Sequence, residues 1–334
     1  MIKLLLFNYL LKFKIMSNVI IGVDIAKLKF DVARLCDGKY KHAKFTNDAQ
    51  GYADFVIWLT RFGDENVRIC MEATGAYSLP LAEFMTDKGY FVSVINPAQI
   101  HAFGKSELSR AKTDKADAKL IARYGMQAKL DAWIPLPANI RELQAMTRRI
   151  EHLLEMQQME SNRLDTADTT IIDSINTVLN TLEAELKATR KAIHDHIDND
   201  PDLKRRSGLL DSIPGIGSAT IAHLLVALSP HHGYTSAKQA VAHAGLAPAI
   251  RESGQWTGKT RIAKNGDAAL RKALYMPALV AWQHNPVIRA FCERLKGNGK
   301  NGKAIACAAM RKLIHLAFAI LKSGELFDPN YSLA

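Results

Sequence analysis

Residues 136 to 200 contain no glycine, and this stretch constrains the fold more than any other feature of the chain. Apolar side chains recur in it at intervals of three and four residues, the period of one face of an α-helix. They form two runs: Ile140, Leu143, Met146, Ile150, Leu153 and then Met156 or Gln157; and Ile172, Ile175, Leu179, Leu182 and Leu186. We predict an antiparallel pair of coiled-coil-like helices joined near Thr166–Thr169, each about 40 Å long. The pattern suits a spacer or an oligomer contact equally well.

The region before this stretch, from about Asn18 to Lys129, has the pattern of an α/β domain. Short apolar runs predict strands at 19–23, 30–35, 42–46, 67–71 and 91–95. A turn at Asp37-Gly-Lys predicts that the second and third strands form a hairpin. Helical spacing predicts helices at 48–62 and 79–88 and a third beginning near Thr113.

The region from Asp200 onward predicts a mainly α-helical domain. Ile213-Pro-Gly-Ile-Gly joins two helical segments, 202–211 and 218–228, and predicts a helix-hairpin-helix element. Such a turn binds phosphate through backbone N–H groups without reading base sequence. Pro214, Gly215 and Gly217 are therefore candidate nucleic-acid contacts. The alternative is a tight interhelical turn that binds no ligand.

The charge of the chain indicates a polyanionic partner. Its formal net charge is +11, and basic residues dominate from Arg251 onward. Nucleic acid is the usual partner of such an excess. The candidate contacts are Arg251, Lys259, Arg261, Lys264, Arg271 and Lys272. Solvated helix faces would explain some of these bases but not their clustering at glycine-rich turns.

Four carboxylates in the first third of the chain are the best indication of chemistry. Asp24 and Glu72 each end an apolar run, and Asp114 and Asp117 are three residues apart on one predicted helix face. Converging acids repel one another and raise one another's pKa values. Hard divalent cations relieve that conflict, and a pair of Mg²⁺ ions about 4 Å apart is the usual device for breaking phosphodiesters. We predict a Mg²⁺ site, with two ions, on these four residues.

Other interpretations of these motifs are weaker. Asp114 and Asp117 would also favour a helix dipole as exposed first-turn acids. A strand-end aspartate such as Asp24 also occurs in actin-like kinases, but the further glycine-rich phosphate loops of those proteins are not evident. Thr257-Gly-Lys-Thr260 lacks the earlier glycine of a P-loop, because position 253 is serine. By composition alone, Ser253 in its basic segment is an ordinary loop hydroxyl.

Several motifs together resemble the DEDD transposases of bacterial insertion sequences, which include Piv-type DNA invertases and bridge-RNA-guided recombinases. The resemblance covers about residues 18 to 328. In the first half it rests on Gly22-Val-Asp-Ile-Ala-Lys, Cys70-Met-Glu-Ala-Thr-Gly-Ala-Tyr, Val94-Ile-Asn-Pro and Lys112-Thr-Asp-Lys-Ala-Asp-Ala. In the second half it rests on Ser212-Ile-Pro-Gly-Ile-Gly, Ala244-Gly-Leu-Ala-Pro, Arg251-Glu-Ser-Gly and Leu270-Arg-Lys-Ala-Leu-Tyr-Met-Pro-Ala.

The resemblance implies an RNase H/RuvC-like N-terminal domain in which Asp24, Glu72, Asp114 and Asp117 bind Mg²⁺. It also implies that Ser253, in the position of the family's Glu-Ser-Gly serine, attacks the scissile phosphate and forms a covalent phosphoserine intermediate. Family members assemble as dimers and tetramers whose subunits can share a site. Some are guided by a structured RNA, and we expect one here.

The predicted organisation is an extension at 1–15, disordered, a RuvC-like domain at 16–130, a helical region at 136–200 and a transposase domain at 201–330. We expect Met16 to be the real start of the protein and the first fifteen residues to be an upstream extension. The apolar opening is too short to span a bilayer, and the four cysteines include no Cys-x-x-Cys pair, so we expect a cytoplasmic, nucleoid-associated protein.

We hypothesise a Mg²⁺-dependent insertion-sequence transposase or site-specific recombinase that acts through phosphoserine. The first alternative is a RuvC-like structure-specific endonuclease that hydrolyses DNA with water. A second is a nucleic-acid-binding assembly protein with a decayed site, against which four intact acids argue. Trapping of a covalent protein–DNA species separates the first two, and a Mg²⁺-dependent cleavage assay tests the last.

Overall fold

The computed structural model of the chain describes residues 19–64, 66–107, 113–249, 252–253, 256–258, 261–263 and 265–330. The chain divides into two compact units at Pro135 and Leu136. The first is mixed α/β and the second is mostly helical, which confirms the predicted fold class at this level. The division into domains at 16–130, 136–200 and 201–330 stays a prediction, and the expected extension at 1–15 lies outside the described residues.

A five-stranded sheet is the framework of the first unit. Its strands are β1 (Val19–Ile25), β2 (Lys29–Cys36), β3 (Lys39–Thr46), β4 (Arg68–Glu72) and β5 (Phe91–Ile95), in the order β3-β2-β1-β4-β5. The first three strands pair antiparallel, and β4 pairs parallel with both β1 and β5.

The predicted hairpin between the second and third strands is confirmed. Asp37 and Gly38 both have positive φ, 47° and 74°, in a two-residue turn. Such a turn matches the twist of antiparallel strands, so it fixes the pairing of Cys36 with Lys39.

Helices cover both faces of this sheet, which is why its central strands are apolar on both sides. On one face, α1 (Ala49–Thr60) and α2 (Leu79–Asp87) enclose a core with Phe30, Phe55 and Met71. On the other face lie α3 (Pro97–Ser106) and α4 (Asp114–Gln127).

Sequence reasoning missed α3. Its signal was present, since Asn96 caps the helix by accepting a hydrogen bond from the Ala98 N–H (2.9 Å) and Pro97 follows at the first helical position.

The second unit contains the two predicted long helices, α5 (Ala138–Leu164) and α6 (Ile172–Asn199). They pack antiparallel. Midway along the pair Leu153 is buried with Leu182 and Leu186, and at the end away from the connection Asn139 Nδ2 donates to Asp200 Oδ2 over 2.6 Å. The pair and its direction are as predicted from the glycine-free stretch.

Six further helices complete this unit: α7 (Pro201–Asp211), α8 (Ser218–Ala227), α9 (Ala237–His243), α10 (Ala268–His284), α11 (Pro286–Gly297) and α12 (Gly302–Ser323). The last three have 17, 12 and 22 residues, longer than the short helices expected. By length and composition α12 is the one described helix that could cross a membrane. Here its apolar stripe, which includes Ile305, Leu313 and Ala317, is buried in the core of the unit.

Between α9 and α10 the chain forms two small hairpins. The strands β6 (Pro248–Ala249) and β9 (Arg261–Ile262) pair antiparallel, as do β7 (Glu252–Ser253) and β8 (Trp256–Thr257). Each strand has only two residues, so backbone pairing within this segment is sparse compared with the sheet of the first unit.

Candidate active site

Asp24 and Glu72 project from neighbouring strands on the same face of the sheet. Residues of β1 alternate between the faces: Ile20 belongs to the core under α3 and α4, whereas Ile21 and Val23 belong to the opposite core. Asp24 therefore shares the face of Ile20, and by the same alternation Glu72 shares the face of Cys70. The two strands run parallel, with Val23 beside Met71, so both acids lie where their strands end.

Asp114 and Asp117 occupy the first turn of α4 on this face. Thr113 caps the helix: its side chain accepts from the Ala116 N–H (3.2 Å), and its carbonyl accepts from the Asp117 N–H (2.8 Å). This cap fixes where the helix begins. Both acids therefore lie in the first turn of α4. Their three-residue spacing places them on one face of this helix, as predicted.

Gly22 allows α4 to lie directly on β1. A Cβ atom at this position would be 2.1 Å from the Ala118 carbonyl oxygen and 2.4 Å from the Ala122 nitrogen, both backbone atoms. Only glycine fits such a close approach of strand and helix. Because Gly22 is two residues before Asp24, this contact brings the start of α4 to the strand end that carries Asp24.

The pKa of Asp24 shows that the other three acids lie near enough to act on its charge. Burial raises the pKa of Asp24 to about 6, with further increases from the negative charges of Asp117, Asp114 and Glu72. Burial and then Asp117 also raise the pKa of Glu72, which His101 partly offsets. The structure thus brings together all four predicted acids, and their repulsion is the conflict that a divalent cation would relieve.

Lys29 neutralises one of the four acids. Its Nζ donates to Asp114 Oδ2 over 2.5 Å and lies 3.9 Å from Asp31 Oδ2. The hydrogen bond to Lys29 lowers the pKa of Asp114, in contrast to the raised values of Asp24 and Glu72. A cation that binds Asp114 must either displace this ammonium group from Oδ2 or use the other carboxylate oxygen.

Sequence reasoning missed three neighbours of the acids: Lys29, Asp31 and His101. Asp31 pairs directly with Asp24 across β1 and β2, and its charge adds to the repulsion on Asp24. A signal for Asp31 was available, because counting back from the Asp37-Gly turn places it inside the second strand. The register that sets it opposite Asp24 comes only with the fold.

The four carboxylates are the type of ligand that suits a hard cation such as Mg²⁺, but their side chains do not surround a common point. Among the described residues, no group of three or more His, Cys, Asp or Glu side chains is close enough to hold a metal ion. The acids are nevertheless near enough to raise the pKa of Asp24, and carboxylate oxygens are the ligands Mg²⁺ prefers. Ligation of one ion by several of these acids would require their side chains to move closer together.

Ser253 belongs to the second unit. It is the last residue of β7, is exposed, and pairs with Trp256 of β8. An exposed hydroxyl in a small hairpin is accessible to a large substrate such as DNA. Arg251 and Lys259, the predicted basic neighbours on either side, lie outside the described residues, as does Lys264.

Arg271 holds the base of the segment that carries Ser253. Its Nη1 donates to the Ala244 carbonyl (2.9 Å) before β6 and to the Gly266 carbonyl (3.2 Å) after β9. A Cβ atom on Gly266 would lie 2.1 Å from the His243 oxygen, so the two ends of the segment are packed backbone to backbone. These hydrogen bonds give Arg271 a structural role that is an alternative to its predicted contact with DNA.

Two other predicted DNA contacts lie at the surface. Arg261 is exposed in β9, and Lys272 Nζ lies 4.0 Å from Glu155 Oε1. An exposed pair at this distance holds its lysine only weakly. Both side chains thus remain available to a phosphate.

The predicted hairpin of residues 213–217 does join two helices, α7 and α8. Gly215 has a φ of +102°, and a Cβ there would lie 2.7 Å from backbone atoms of Ala281 in α10. Asn285 Nδ2 donates to the Pro214 carbonyl over 3.3 Å, whereas Gly217 is exposed at the start of α8. The turn is packed on its Gly215 side and open at Gly217, and its phosphate-binding role stays a prediction.

Comparison with known proteins identifies the family. Residues 21–171 match the model of DEDD transposases of the IS110 type, and residues 207–293 match that of the IS116/IS110/IS902 transposase family. The pilin gene-inverting protein of Moraxella bovis is 34% identical over 317 residues, which are 94% of this chain and 98% of that protein.

Two insertion-element proteins match over shorter lengths. A 43.6 kDa IS110 protein of Streptomyces coelicolor is 26% identical over 46% of this chain and 39% of its own length. The IS1328 transposase of Yersinia enterocolitica is 26% identical over 43% of each chain. These matches and the earlier one confirm the resemblance drawn from the motifs. The chain belongs to the IS110 family of DEDD transposases and DNA-inverting proteins, enzymes that act on DNA.

Proposed function

We propose that this protein cleaves and rejoins DNA strands through a covalent phosphoserine, with Asp24, Glu72, Asp114 and Asp117 as the metal ligands and Ser253 as the nucleophile. The observation that carries the proposal is the convergence of the four acids on one sheet face at the start of α4. The strand order β3-β2-β1-β4-β5, with three antiparallel strands followed by two parallel ones, supports the RuvC-like assignment of the first unit.

The four acids are proposed to hold Mg²⁺, as two ions. Bound there, the metal would polarise the scissile phosphate and stabilise the charge that develops on its oxygens. The chain's own residues prepare the site. Burial and the negative charges of their neighbours raise the pKa values of Asp24 and Glu72, whereas Lys29 neutralises Asp114.

Ser253 supplies the covalent step. Its Oγ attacks the scissile phosphorus, the Oγ–P bond forms, and the bond from phosphorus to the 3′ oxygen breaks. The hydroxyl proton ends on the departing 3′ oxygen. In the second step a 3′ hydroxyl of the partner strand attacks phosphorus, the new phosphodiester forms, and the serine recovers its proton. One phosphoester bond is exchanged for another each time, so no ATP is needed.

The partners follow from the same proposal. The substrate is DNA, held along its backbone by the 213–217 hairpin and by the basic residues of the second unit, Arg261 and Lys272 among them. The resemblance to the family supports a structured guide RNA and assembly as a dimer or tetramer, with α5 and α6 joining subunits. It also supports action in the cytoplasm at the nucleoid.

Trapping the protein–DNA adduct tests this proposal. A DNA substrate carrying the element end and its target, incubated with Mg²⁺ and denatured, should yield a protein–DNA band for the wild type. Ser253→Ala should remove both the adduct and strand transfer. Ser174→Ala, an exposed serine on α6, is the matched control and should retain them.

The hydrolytic alternative predicts a different result. A RuvC-like nuclease that uses water would cut in the presence of Mg²⁺ without any adduct, and Ser253→Ala would leave cleavage intact. That outcome would remove the serine from the mechanism while retaining the acids.

A further inference from the structure

A row of lysines runs from the acid cluster across the same face of the sheet. It consists of Lys44 on β3 and of Lys115 and Lys119 on α4, and we call it the lysine row. None of the ion pairs among the described residues includes any of the three. Three other bases of this unit are paired: Lys29 with Asp114, Arg34 with Asp64, and Arg123 with Glu107.

The fold places the three lysines on the face that carries the acids. In β3, Tyr40 packs into the core under α3 and α4, so Lys44, four residues on, shares its face. Lys115 and Lys119 are one turn apart on α4, which packs on β1 and β2. The Lys119 ammonium lies 5.1 Å from the centre of the Tyr40 ring and so reaches back to the edge strand.

Asp31 is the cross-strand neighbour of Lys44, but the structure shows no ion pair between them among the described residues. His42 lies between the members of the row, stacked on Tyr40 with ring centroids 6.4 Å apart. Burial lowers the pKa of His42, and the charges of Lys115 and Lys119 lower it further.

The spacing suits a nucleic-acid backbone. Along β3, Lys44 to Tyr40 spans about 13 Å at 3.3 Å per residue, and Lys115 to Lys119 spans about 6 Å along the helix. Successive phosphates of one duplex strand are about 3.4 Å apart along the axis. The row therefore extends over roughly four phosphate steps, beginning beside the acids.

Protection of an exposed sheet edge explains only part of this pattern. Lysines on an edge strand prevent unwanted pairing, and Lys39 and Lys41 of β3 suit that role. They lie on the opposite face, with Phe45. Edge protection does not require the two lysines of α4, or their grouping beside the acids.

From this arrangement we infer that the lysine row binds the backbone phosphates of the DNA strand adjoining the scissile phosphate. The inference rests on the proposed function for the position of that phosphate, but it concerns a surface of the first unit, whereas the predicted DNA contacts all lie in the second. The recognised chemistry is phosphate and not base sequence, since each lysine presents a single ammonium group.

The test compares two triple variants of the full chain. Lys44→Gln/Lys115→Gln/Lys119→Gln removes three charges but keeps most of the stem over Tyr40. The control, Lys39→Gln/Lys41→Gln/Lys88→Gln, removes three lysines associated with the opposite face, and Lys88 likewise stacks on an aromatic ring, 5.6 Å from the centre of Phe84. Binding of a 40-base-pair mixed-sequence DNA duplex is measured against salt, without Mg²⁺, so that neither cleavage nor Ser253 contributes.

A plot of log K against log salt concentration should be less steep for the row variant than for the wild type, by about 2 to 3. Each neutralised phosphate contributes about 0.9 to this slope. The control variant should lose less than 1. Equal slopes would overturn the inference and leave the adduct test untouched.

Lysine acetylation in the wild type gives an independent measure. The duplex should protect Lys44, Lys115 and Lys119 but not Lys39 and Lys41. If the same length of duplex RNA protects the row and duplex DNA does not, the surface is an RNA site and the inference for DNA fails.

Discussion

The two regions proposed to share the chemistry are built differently. The acids stand on a sheet whose strands have five to eight residues and whose core is buried on both faces. Ser253 stands on a strand of two residues, and among the described residues the contacts that hold its segment are those of Arg271 and Gly266 at the base. The comparison teaches that the fold sets the positions of the acids relative to one another, whereas the serine is set by a few contacts at the root of its segment.

Removal of an acid should have the largest effect on activity. Asp24→Asn and Glu72→Gln should each lower Mg²⁺-dependent DNA cleavage by about a hundredfold or more, since metal stabilisation of the transition state is worth several kcal/mol. DNA binding without Mg²⁺ should persist. Asp54→Asn, an exposed acid of α1 on the opposite face, is the control. Full cleavage by either variant would take that acid out of the site.

The close contact of strand and helix at Gly22 gives the next largest effect. Gly22→Ala should destabilise the protein by at least about 2 kcal/mol, because its Cβ would overlap backbone atoms of α4 that cannot move independently. Gly208→Ala is the matched control. It lies in α7 with open space around it, so it should be neutral or stabilise by up to about 1 kcal/mol. Thermal unfolding followed by circular dichroism measures both, and equal melting temperatures would contradict the packing argument.

A substitution at Arg271 distinguishes a role in positioning Ser253 from a role in binding DNA. If it holds the root of the Ser253 segment, Arg271→Gln should reduce adduct formation about tenfold or more, on the scale of one lost charged hydrogen bond. The salt slope of DNA binding would then remain unchanged. A phosphate contact would instead lower that slope by about 0.9. Lys272→Gln, on the next residue and exposed, is the comparison for a side chain free to reach DNA.

We expect the smallest effect in the pH dependence of the free energy of unfolding. The folded pKa of Asp24 is raised from 3.8 to about 6, so between these values the folded protein binds more protons than the unfolded one. Stability from this group therefore falls as pH rises through that window. Asp24→Asn should match the wild type below about pH 4 and exceed it above pH 6, by about 1 kcal/mol after allowance for the partial exposure of Asp24. Unfolding in urea at several pH values measures the difference, which should be absent for Asp54→Asn.

The sequence predicted most of the acid site, because its signals are local. Apolar runs ending in Asp24 and Glu72 mark strand ends, and the spacing of Asp114 and Asp117 marks a helix face. The partners of these acids depend on register and packing. Lys29 contacts Asp114, which is 85 residues away in the sequence. Asp31 faces Asp24 only because β1 and β2 pair in that register.

The second region was less predictable from the sequence. The helix pair of 138–199 follows from its spacing, but the role of Arg271 does not. Its charge resembles that of its DNA-binding neighbours, and only the carbonyls of Ala244 and Gly266 reveal a second role. The helix α3 was not predicted, because an Asn-Pro pair can end a strand as well as begin a helix.

Direct measurement of metal binding tests the central claim, that the sheet-face acids form a divalent-cation site. Mg²⁺ is titrated calorimetrically into the DNA-free protein at pH 7.5, in the wild type, in Asp24→Asn/Glu72→Gln, and in the control Asp54→Asn/Asp87→Asn. The account predicts saturable binding in the wild type and the control, accompanied by a rise in melting temperature, and loss of both in the site variant. Equal Mg²⁺ binding by all three proteins would contradict it.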